Sequence, residues 1–217
     1  MDDAVFHPLY RSGDGAPSPF RTEVSIAADS RRLAARFRSE FRVLSPAGAA
    51  HDDDLWEGDV VELFVAPIAQ DRRVYYEIEV NPDGFVFDAR VESPDLDRRT
   101  MRVDRGWNPA GLRVRSRVLG PDGLSGGGAG SGLWLVRIAL EWSAVDRDGP
   151  TPVAIGAFRI DRRSAPEPLF LALFPNGETP ANFHTPADFR VFGPATRIPA
   201  PSARARRGLL PPRWEFW

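Results

Sequence analysis

The feature that most constrains the fold of this sequence is an alternation of residue types with a period of two. Segment 59–65 is dominated by β-branched and aromatic residues, as a β-strand requires. Three aliphatic residues share one face of this predicted strand: Val61, Leu63 and Val65. The opposite face carries Val60, Glu62 and Phe64, so both faces are partly apolar. The pattern therefore predicts an inner strand of a sheet.

Glu62 is the exception in this strand, because its carboxylate falls in the middle of a segment that otherwise reads as buried. A buried charge is costly unless a partner neutralises it or the site is a cleft. Two interpretations remain open on this evidence. Glu62 forms a structural ion pair with one of the arginines, or it belongs to a functional site.

The same alternation recurs along most of the chain, between turn signals about a dozen residues apart. Further strands are predicted over these segments: 22–28, 33–38, 74–81, 85–91, 112–119, 133–140, 153–161 and 169–174. Almost no segment has a helical period, although 143–146 has the length of one helical turn. The sequence therefore predicts an all-β fold, an antiparallel β-sandwich of jelly-roll or immunoglobulin-like type.

The predicted strand 74–81 has one unusually polar face. Four residues with hydrogen-bonding side chains alternate along it: Tyr75, Glu77, Glu79 and Asn81. The strand ends in the turn sequence Asn-Pro-Asp-Gly, in which proline fixes φ and glycine permits a positive φ. This face of the strand is therefore predicted to be polar and crowded with hydrogen-bond acceptors.

The 217 residues are predicted to form one main domain, because no polar linker divides the chain. Residues 1–21 read as an extended lead-in rich in Gly, Pro and Ser, 22–193 as the sandwich, and 194–217 as a Pro- and Arg-rich tail. The tail cannot build a core of its own, yet it ends in Trp214, Phe216 and Trp217. A disordered end and a tail docked by these aromatics both remain open. The Gly- and Ser-rich segment 123–132 is predicted to be a hairpin tip.

Composition excludes several classes of protein. There is no cysteine, so disulfides and thiolate metal sites are excluded. With a net charge of -2, the arginine stripe at 113, 115 and 117 gives no expectation of a nucleic-acid partner. No apolar run approaches the roughly 20 residues of a membrane helix. The N-terminus lacks a signal-peptide pattern, which predicts a cytoplasmic protein as written, or a secreted one if a leader was removed.

Four motifs, taken in chain order, carry a family resemblance. They are LWEGDVVELFV at 55–65, YYEIEVNPDG at 75–84, IALEWSAV at 138–145 and FHTPADF at 183–189. The set resembles the family 9 carbohydrate-binding modules, which belong to the DOMON-like β-sandwiches, and it spans most of residues 22–192. The resemblance implies a non-catalytic module that recognises a xylan- or cellulose-type glycan or its chain ends, with a glycoside hydrolase as a partner in polysaccharide catabolism.

The resemblance also implies the site. A tryptophan at the start of the central strand stacks on the sugar in that family, and a glutamate six residues later accepts hydroxyl hydrogen bonds; Trp56 and Glu62 occupy those positions. Further contacts of the family's next strand fall here on Glu79 and Asn81, with Glu79 where the family has an arginine. The second aromatic comes from the C-terminal motif, which offers three residues: Phe183, His184 and Phe189.

A cation site is a further expectation. The acidic run before Trp56 offers Asp52, Asp54 and Asp59 as ligands for a structural calcium ion, since hard cations take carboxylate oxygens and related modules bind calcium. A solvated acidic loop without a metal is the other interpretation of this run.

Two other functions belong to different classes. The wider sandwich superfamily includes haem domains with Met and His ligands, and Met101 is the one internal methionine of this sequence. A glycosidase would need two carboxylates, for which Glu62, Glu77 and Glu79 are available, but no flanking catalytic motif accompanies them. A binding module without catalytic residues is the function that the sequence favours. Its oligomeric state is open.

Overall fold

The computed structural model describes residues 4–120, 132–145 and 152–192, and within these ranges the chain is all-β. The described strands are β1 (His7–Pro8), β2 (Tyr10–Arg11), β3 (Thr22–Ala28), β4 (Arg32–Phe41), β5 (Val60–Pro67), β6 (Val74–Val80), β7 (Val86–Glu92), β8 (Arg102–Asp104), β9 (Leu112–Leu119), β10 (Gly132–Glu141), β11 (Val153–Asp161), β12 (Leu169–Ala172) and β13 (Arg190–Phe192). Short 3₁₀ turns cover Leu55–Glu57, Ile68–Gln70, Arg98–Thr100, Trp142–Val145 and Pro186–Asp188. The predicted hairpin tip, except for its last residue Gly132, and the predicted tail lie outside the described residues.

The strands form two antiparallel sheets that pack face to face. One sheet has five strands in the order β1-β3-β4-β10-β9. The other has eight, in the order β2-β12-β11-β5-β6-β7-β8, with β13 also paired to β11. The predicted antiparallel β-sandwich is confirmed. Within the described ranges, no helix has the length and apolar character needed to span a membrane.

Strand β5 lies at the centre of the larger sheet, between β11 and β6. All eight of its residues are buried, which agrees with the inner strand predicted from its two apolar faces. Its aliphatic face joins the sandwich core through Val61, Leu63 and Val65. Its other face points away from the smaller sheet and is nevertheless covered, so β5 is packed on both sides.

A second apolar cluster covers this outer face of the larger sheet. Phe64 lies at its centre, with ring centroids 5.6 Å from Tyr75, 5.2 Å from Phe158 and 5.8 Å from Phe189. Residues from the loops before β5 and before β13 complete the cluster, among them Leu55 and Phe189. The larger sheet is therefore the middle layer, with the sandwich core on one side and loop-covered aromatic residues on the other.

The segment predicted as a lead-in is part of both sheets. Strand β1 pairs with β3 in the smaller sheet, and β2 pairs with β12 in the larger one. Leu9, between them, is only 3% exposed in the core. The abundance of Gly, Pro and Ser concealed this short pairing segment, because turn-forming residues surround its few apolar side chains.

Strand β9 forms one edge of the smaller sheet and pairs with β10. Its burial alternates as the sequence predicts, with Arg113, Arg115 and Arg117 exposed. The residues between them, Val114 and Ser116, are half-buried.

A buried arginine connects the two sheets, a feature that the sequence analysis did not predict. Arg159 of β11 faces the smaller sheet and is fully buried. Its guanidinium donates to the Thr22 hydroxyl at 2.8 Å, to the Glu40 carbonyl at 2.7 Å and to the Asp161 carboxylate at 2.7 Å. Because Asp161 is equally buried, each charge depends on the other for neutralisation.

We expect Arg159→Met to lower the free energy of unfolding by about 3–5 kcal/mol, because it leaves the Asp161 carboxylate buried without its cation. Urea denaturation measures this loss. Arg163→Met is the matched control, since Arg163 lies four residues after Arg159, is exposed and should change stability by less than about 0.5 kcal/mol. Equal effects of the two replacements would contradict a structural role for the buried pair.

Candidate functional site

A cavity of about 340 Å³ opens on the outer face of the larger sheet. Its lining includes side chains of β5 and β6 together with residues from three loops, around 56, 98–105 and 181–184. The lining has three chemical parts: glutamates from the sheet, aromatic rings, and arginines from the loops. A cavity of this size, apolar with a few convergent polar groups, has the form of a small-ligand site.

Three glutamates from adjacent strands line the cavity. Glu62 of β5 lies directly opposite Glu79 of β6, and Glu77 shares the face of Glu79 two residues earlier. None of the three is more than 3% exposed. One carboxylate oxygen from each lies within 4.8 Å of the others. The period-two alternation predicted from the sequence is what brings them together on one side of the sheet.

Burial raises the pKa of all three carboxyl groups, since it disfavours their charged forms. The pKa of Glu77 rises to about 7, and those of Glu62 and Glu79 rise well above the ordinary range. Repulsion between neighbouring carboxylates adds to the effect of burial at Glu62 and Glu79. Outside its pairing with Glu77, the buried Oε2 of Glu79 has no hydrogen-bond partner. The cluster therefore carries protons that a cationic or hydrogen-bonding ligand could displace.

The aromatic part of the lining begins with Trp56, which lies in the 3₁₀ turn before β5 and is half-buried. Its ring meets Phe87 edge-on, with centroids 5.2 Å apart. Phe183 enters from the loop before β13 and stacks on Phe158 at 4.4 Å. Trp56 and Phe183 thus bring aromatic surface to the cavity from two separate loops.

Close packing fixes the position of the loop that carries Trp56. A Cβ at Gly58 would lie 2.2 Å from the backbone nitrogen of Ala47, so only glycine fits there. Asp59 is buried, and its carboxylate accepts hydrogen bonds from the backbone N–H groups of Ser45 and Arg162. The Arg162 guanidinium in turn donates to the Trp56 carbonyl. These contacts hold Trp56 against the sheet.

Three arginines belong to the lining: Arg98, Arg105 and Arg162. The guanidinium of Arg105 lies 5.3 Å from the Trp56 ring centroid and 5.2 Å from that of Phe87. It also pairs with Asp54 at 2.9 Å and donates to the Asp52 carbonyl at 3.3 Å. Arg105 thus connects the acidic loop to the aromatic wall.

The predicted calcium ligands do not converge. Asp54 pairs with Arg105, and Asp59 is occupied by the backbone N–H groups described above. Asp52 turns towards His51 and Asp88, with His51 Nε2 at 3.4 Å from a carboxylate oxygen of each. The reason is the 3₁₀ turn at 55–57, which separates Asp59 from the run before it. His51 and Asp52 of the acidic loop form a group of possible cation ligands with Asp88 of β7.

Of the seven predicted ligand-binding residues, five line the cavity: Trp56, Glu62, Glu79, Phe183 and His184. Asn81 does not, because its side chain donates to the Ala47 carbonyl and accepts from the Phe85 N–H, holding the turn after β6. Phe189 is 2% exposed and packs in the second apolar cluster. Asn81 and Phe189 therefore support the site without lining it.

His184 lines the cavity, but both of its ring nitrogens already face other side chains. Its Nδ1 hydrogen-bonds the Tyr75 hydroxyl at 2.7 Å, and its Nε2 lies 3.8 Å from a Glu77 carboxylate oxygen. Burial, helped by the charge of Arg98, lowers the pKa of His184 to about 4, so the ring is neutral at pH 7. Met101 also lines the cavity, with its sulfur 4.0 Å from the Tyr75 hydroxyl.

The sequence analysis missed several lining residues as site residues. Glu77 could have been included, because it shares the polar face of the predicted strand with Glu79. Phe87 likewise lies opposite Glu79 on β7. The three arginines gave no signal, because they reach the cavity from the 93–108 segment and the loop after β11, whose paths no local pattern determines.

Comparison with known proteins identifies the fold. No protein-family model and no curated protein matches the sequence. Among solved structures, the chain is similar to a candidate carbohydrate-binding protein from Bacteroides uniformis, with 18% identity over 88% of this chain and 86% of that one and a TM-score of 0.67. It is also similar to a family 9 carbohydrate-binding module from Caldicellulosiruptor kristjanssonii. In its complex with glucose, that module is 14% identical to this chain, and the match covers 85% of this chain and 82% of the module with a TM-score of 0.53. In its complex with cellotriose, the identity is again 14%, and the match covers 97% of this chain and 90% of the module with a TM-score of 0.54. The chain has the fold of these modules.

The glutamate cluster predicts a pH dependence of stability. A carboxyl group whose pKa is raised in the folded state binds more protons there than in the unfolded chain, where its pKa is about 4.3. Its stabilising effect is present at low pH and is lost as the pH rises through the folded-state pKa. We therefore expect the melting temperature to fall as the pH rises from about 6.5 to about 7, the folded-state pKa of Glu77, because in this range the unfolded chain is ionised while the folded protein still binds protons. The lowered pKa of His184 acts in the opposite direction, but only below about pH 6.5.

Thermal denaturation at several pH values tests this expectation. Glu79→Gln should flatten the dependence, because it removes one of the titrating groups. Glu92→Gln is the control, since Glu92 lies on the same sheet at the end of β7 and pairs with Arg90 outside the cavity. A melting temperature that rises across this range in the unmodified protein would contradict the buried-carboxylate assignment.

Proposed function

We propose that this protein is a non-catalytic carbohydrate-binding module that holds a sugar ring in the cavity over β5 and β6. The observation that carries the proposal is the presence of Trp56, Glu62 and Glu79 in the lining of one cavity of about 340 Å³. A pyranose has an apolar C–H face and an equator of hydroxyl groups. It therefore needs an aromatic surface and planar polar groups side by side.

The aromatic requirement is met by Trp56. Its ring is half-buried, and its edge-on contact with Phe87 fixes its orientation. A side chain held in this way loses little conformational entropy when a ligand stacks on it. Phe183 supplies further apolar surface from another loop.

The polar requirement is met by carboxylates and guanidinium groups together. Each sugar hydroxyl can donate one hydrogen bond and accept others. Glu62 and Glu79 are acceptors when ionised, and Arg98 at the margin of the cavity is a donor. Both kinds of group are planar and can engage two adjacent hydroxyls, which gives specificity for their arrangement on the ring.

The solved structures of similar fold support this proposal. The module from Caldicellulosiruptor kristjanssonii was solved with glucose and with cellotriose. Cellulose- and xylan-type chains, or their ends, are therefore the first ligands to test. We extend the proposal to a role beside a glycoside hydrolase, in which the module would hold the enzyme near its polymer.

A glycosidase is less well supported by the same site. Hydrolysis needs two carboxyl groups on either side of the bond that breaks, about 5–5.5 Å or 6.5–9.5 Å apart. Glu62, Glu77 and Glu79 instead lie side by side on one face of the sheet, with oxygens within 4.8 Å. They can contact one side of a ligand together, but they do not flank it.

A haem site is not favoured either, although Met101 and His184 both line the cavity. The two nitrogens of His184 face Tyr75 and Glu77, so ligation would break the Tyr75 hydrogen bond or bring iron against a buried carboxyl group. Haem would also have to enter a cavity of about 340 Å³ lined by three glutamates. A sugar fits these groups without rearranging them.

We expect Trp56→Ala to weaken binding of a cello- or xylo-oligosaccharide by about 1–3 kcal/mol, because the stacking surface is lost. Glu62→Gln should have a similar effect by removing a charge-assisted acceptor. Isothermal titration calorimetry with glucose, cellotriose and xylotriose measures both. Trp56→Phe is the matched control, since it keeps an aromatic surface and should retain most of the affinity.

Two results would overturn the proposal. One is unchanged affinity in Trp56→Ala, with Glu62→Gln lowering only the melting temperature, as a structural ion pair would predict. The other is a Soret band in the absorption spectrum of the purified protein, which would favour the haem alternative.

A further inference from the structure

The cavity holds more buried acid than recognition of a neutral sugar requires. Glu62, Glu77 and Glu79 are between 2% and 3% exposed, and one oxygen of each lies within 4.8 Å of the others. Two planar acceptors would be enough to bind a pair of hydroxyls. A third carboxyl group beside them adds repulsion and the cost of removing another charge from water.

The arginines of the lining only partly oppose the effect of burial, since the charge of Arg162 acts on the pKa of Glu62 and those of Arg98 and Arg105 act on the pKa of Glu77. Arg105 pairs with Asp54 at 2.9 Å, and the Arg162 guanidinium donates to the Trp56 carbonyl. His184 is the closest base, at 3.8 Å from Glu77, and it is neutral at pH 7. Among the described residues, no arginine is within ion-pair distance of any of the three carboxylates.

Oε2 of Glu79 is the second observation that points to a ligand. The side chains of Glu77 and Glu79 hydrogen-bond each other when one of them is protonated, and outside this pair the buried Oε2 has no hydrogen-bond partner. A buried acceptor left unsatisfied is costly, and more so when it is charged. A donor that enters the cavity would remove this cost.

We infer that the preferred ligand of the cavity is a sugar that carries a protonated amino group, and that this group binds between Glu62, Glu77 and Glu79. The inference rests on the proposed function, because it names the class of sugar held in the same site. A 2-amino-2-deoxy pyranose is the simplest such ligand. It keeps the C–H face that stacks on Trp56 and replaces one hydroxyl with an ammonium group.

The spacing of the three oxygens suits an ammonium group. A nitrogen that donates three hydrogen bonds of about 2.8 Å in tetrahedral directions spans acceptors about 4.6 Å apart. The observed separations, all within 4.8 Å, allow one such group to contact all three carboxylates. The ammonium group would displace protons that these buried carboxyl groups hold at pH 6, because burial raises their pKa values.

The other lining residues favour a sugar over a bare metal ion. A single ion bound at the carboxylates would leave most of the 340 Å³ cavity and its aromatic rings without a partner. A bare ion would also offer no hydrogen-bond acceptor to Arg98, Arg105 and Arg162, which line the same cavity. In an amino sugar the charge is confined to one end, and the hydroxyls at the other end can accept hydrogen bonds from these arginines.

Calorimetric titration at pH 6 with glucosamine, glucose and N-acetylglucosamine tests the inference, because the three sugars differ at one ring substituent. We expect glucosamine to bind at least about tenfold more tightly than glucose. N-acetylglucosamine should bind no more tightly than glucose, since acetylation removes the charge and adds bulk. The same order should hold for the trimer of glucosamine against cellotriose.

Glu79→Gln should weaken the binding of glucosamine more than that of glucose, so that the advantage of glucosamine is lost. Glu92→Gln, on the same sheet outside the cavity, should leave the preference unchanged. A far-ultraviolet circular dichroism spectrum of each variant confirms that it is folded before titration.

The possible failures can be told apart. If glucose or cellotriose binds as tightly as its amino analogue, the inference is overturned and the proposed function stands. If no sugar binds, both are overturned. If methylammonium or calcium binds as tightly as glucosamine and competes with it, the carboxylates form a general cation site and the assignment to an amino sugar is overturned.

Discussion

The alternation of β5 and β6 is the constraint on which the rest of the structure depends. Burying Val61, Leu63 and Val65 in the sandwich turns Glu62 to the opposite face, and the same holds for Ile78 and Glu79 on β6. A shift of the pairing register by one residue would exchange the core-facing and outward-facing side chains, placing carboxylates in the core. The hydrophobic core therefore determines the arrangement of the site, although the two lie on opposite sides of the sheet.

The middle position of the larger sheet also explains the electrostatics of the cavity. A sheet exposed to water on its outer face would leave Glu62, Glu77 and Glu79 solvated. Here the aromatic cluster around Phe64 covers that face and excludes water from the carboxyl groups. Low-dielectric surroundings strengthen every interaction that a ligand makes with them. The cost of burying these groups is offset by the stability of the packed layers on both sides.

Much of this arrangement could be predicted from local sequence. Alternation identified β5 and β6 and placed Glu62 and Glu79 opposite the aliphatic face of their own strands, because side-chain direction in a strand depends only on parity. That the two residues share one face of the sheet follows from the pairing of the strands, which the sequence analysis did not predict. Arg159 and Arg162 could not be predicted, since their roles depend on partners more than 100 residues away. Phe189 was predicted to bind the ligand because of its position in a motif, but it packs beneath the site. A motif places an aromatic residue in the right segment without determining which way its ring faces.

The edge of the smaller sheet bears on how the protein behaves at high concentration. An exposed β-strand edge offers unpaired backbone groups to other chains and can start aggregation. In the described structure, β9 is such an edge, and its exposed residues are Arg113, Arg115, Arg117 and Val118. Two copies of β9 that approached each other would bring these like charges together. The arginine stripe therefore opposes pairing of this sheet edge with the same edge of a second molecule.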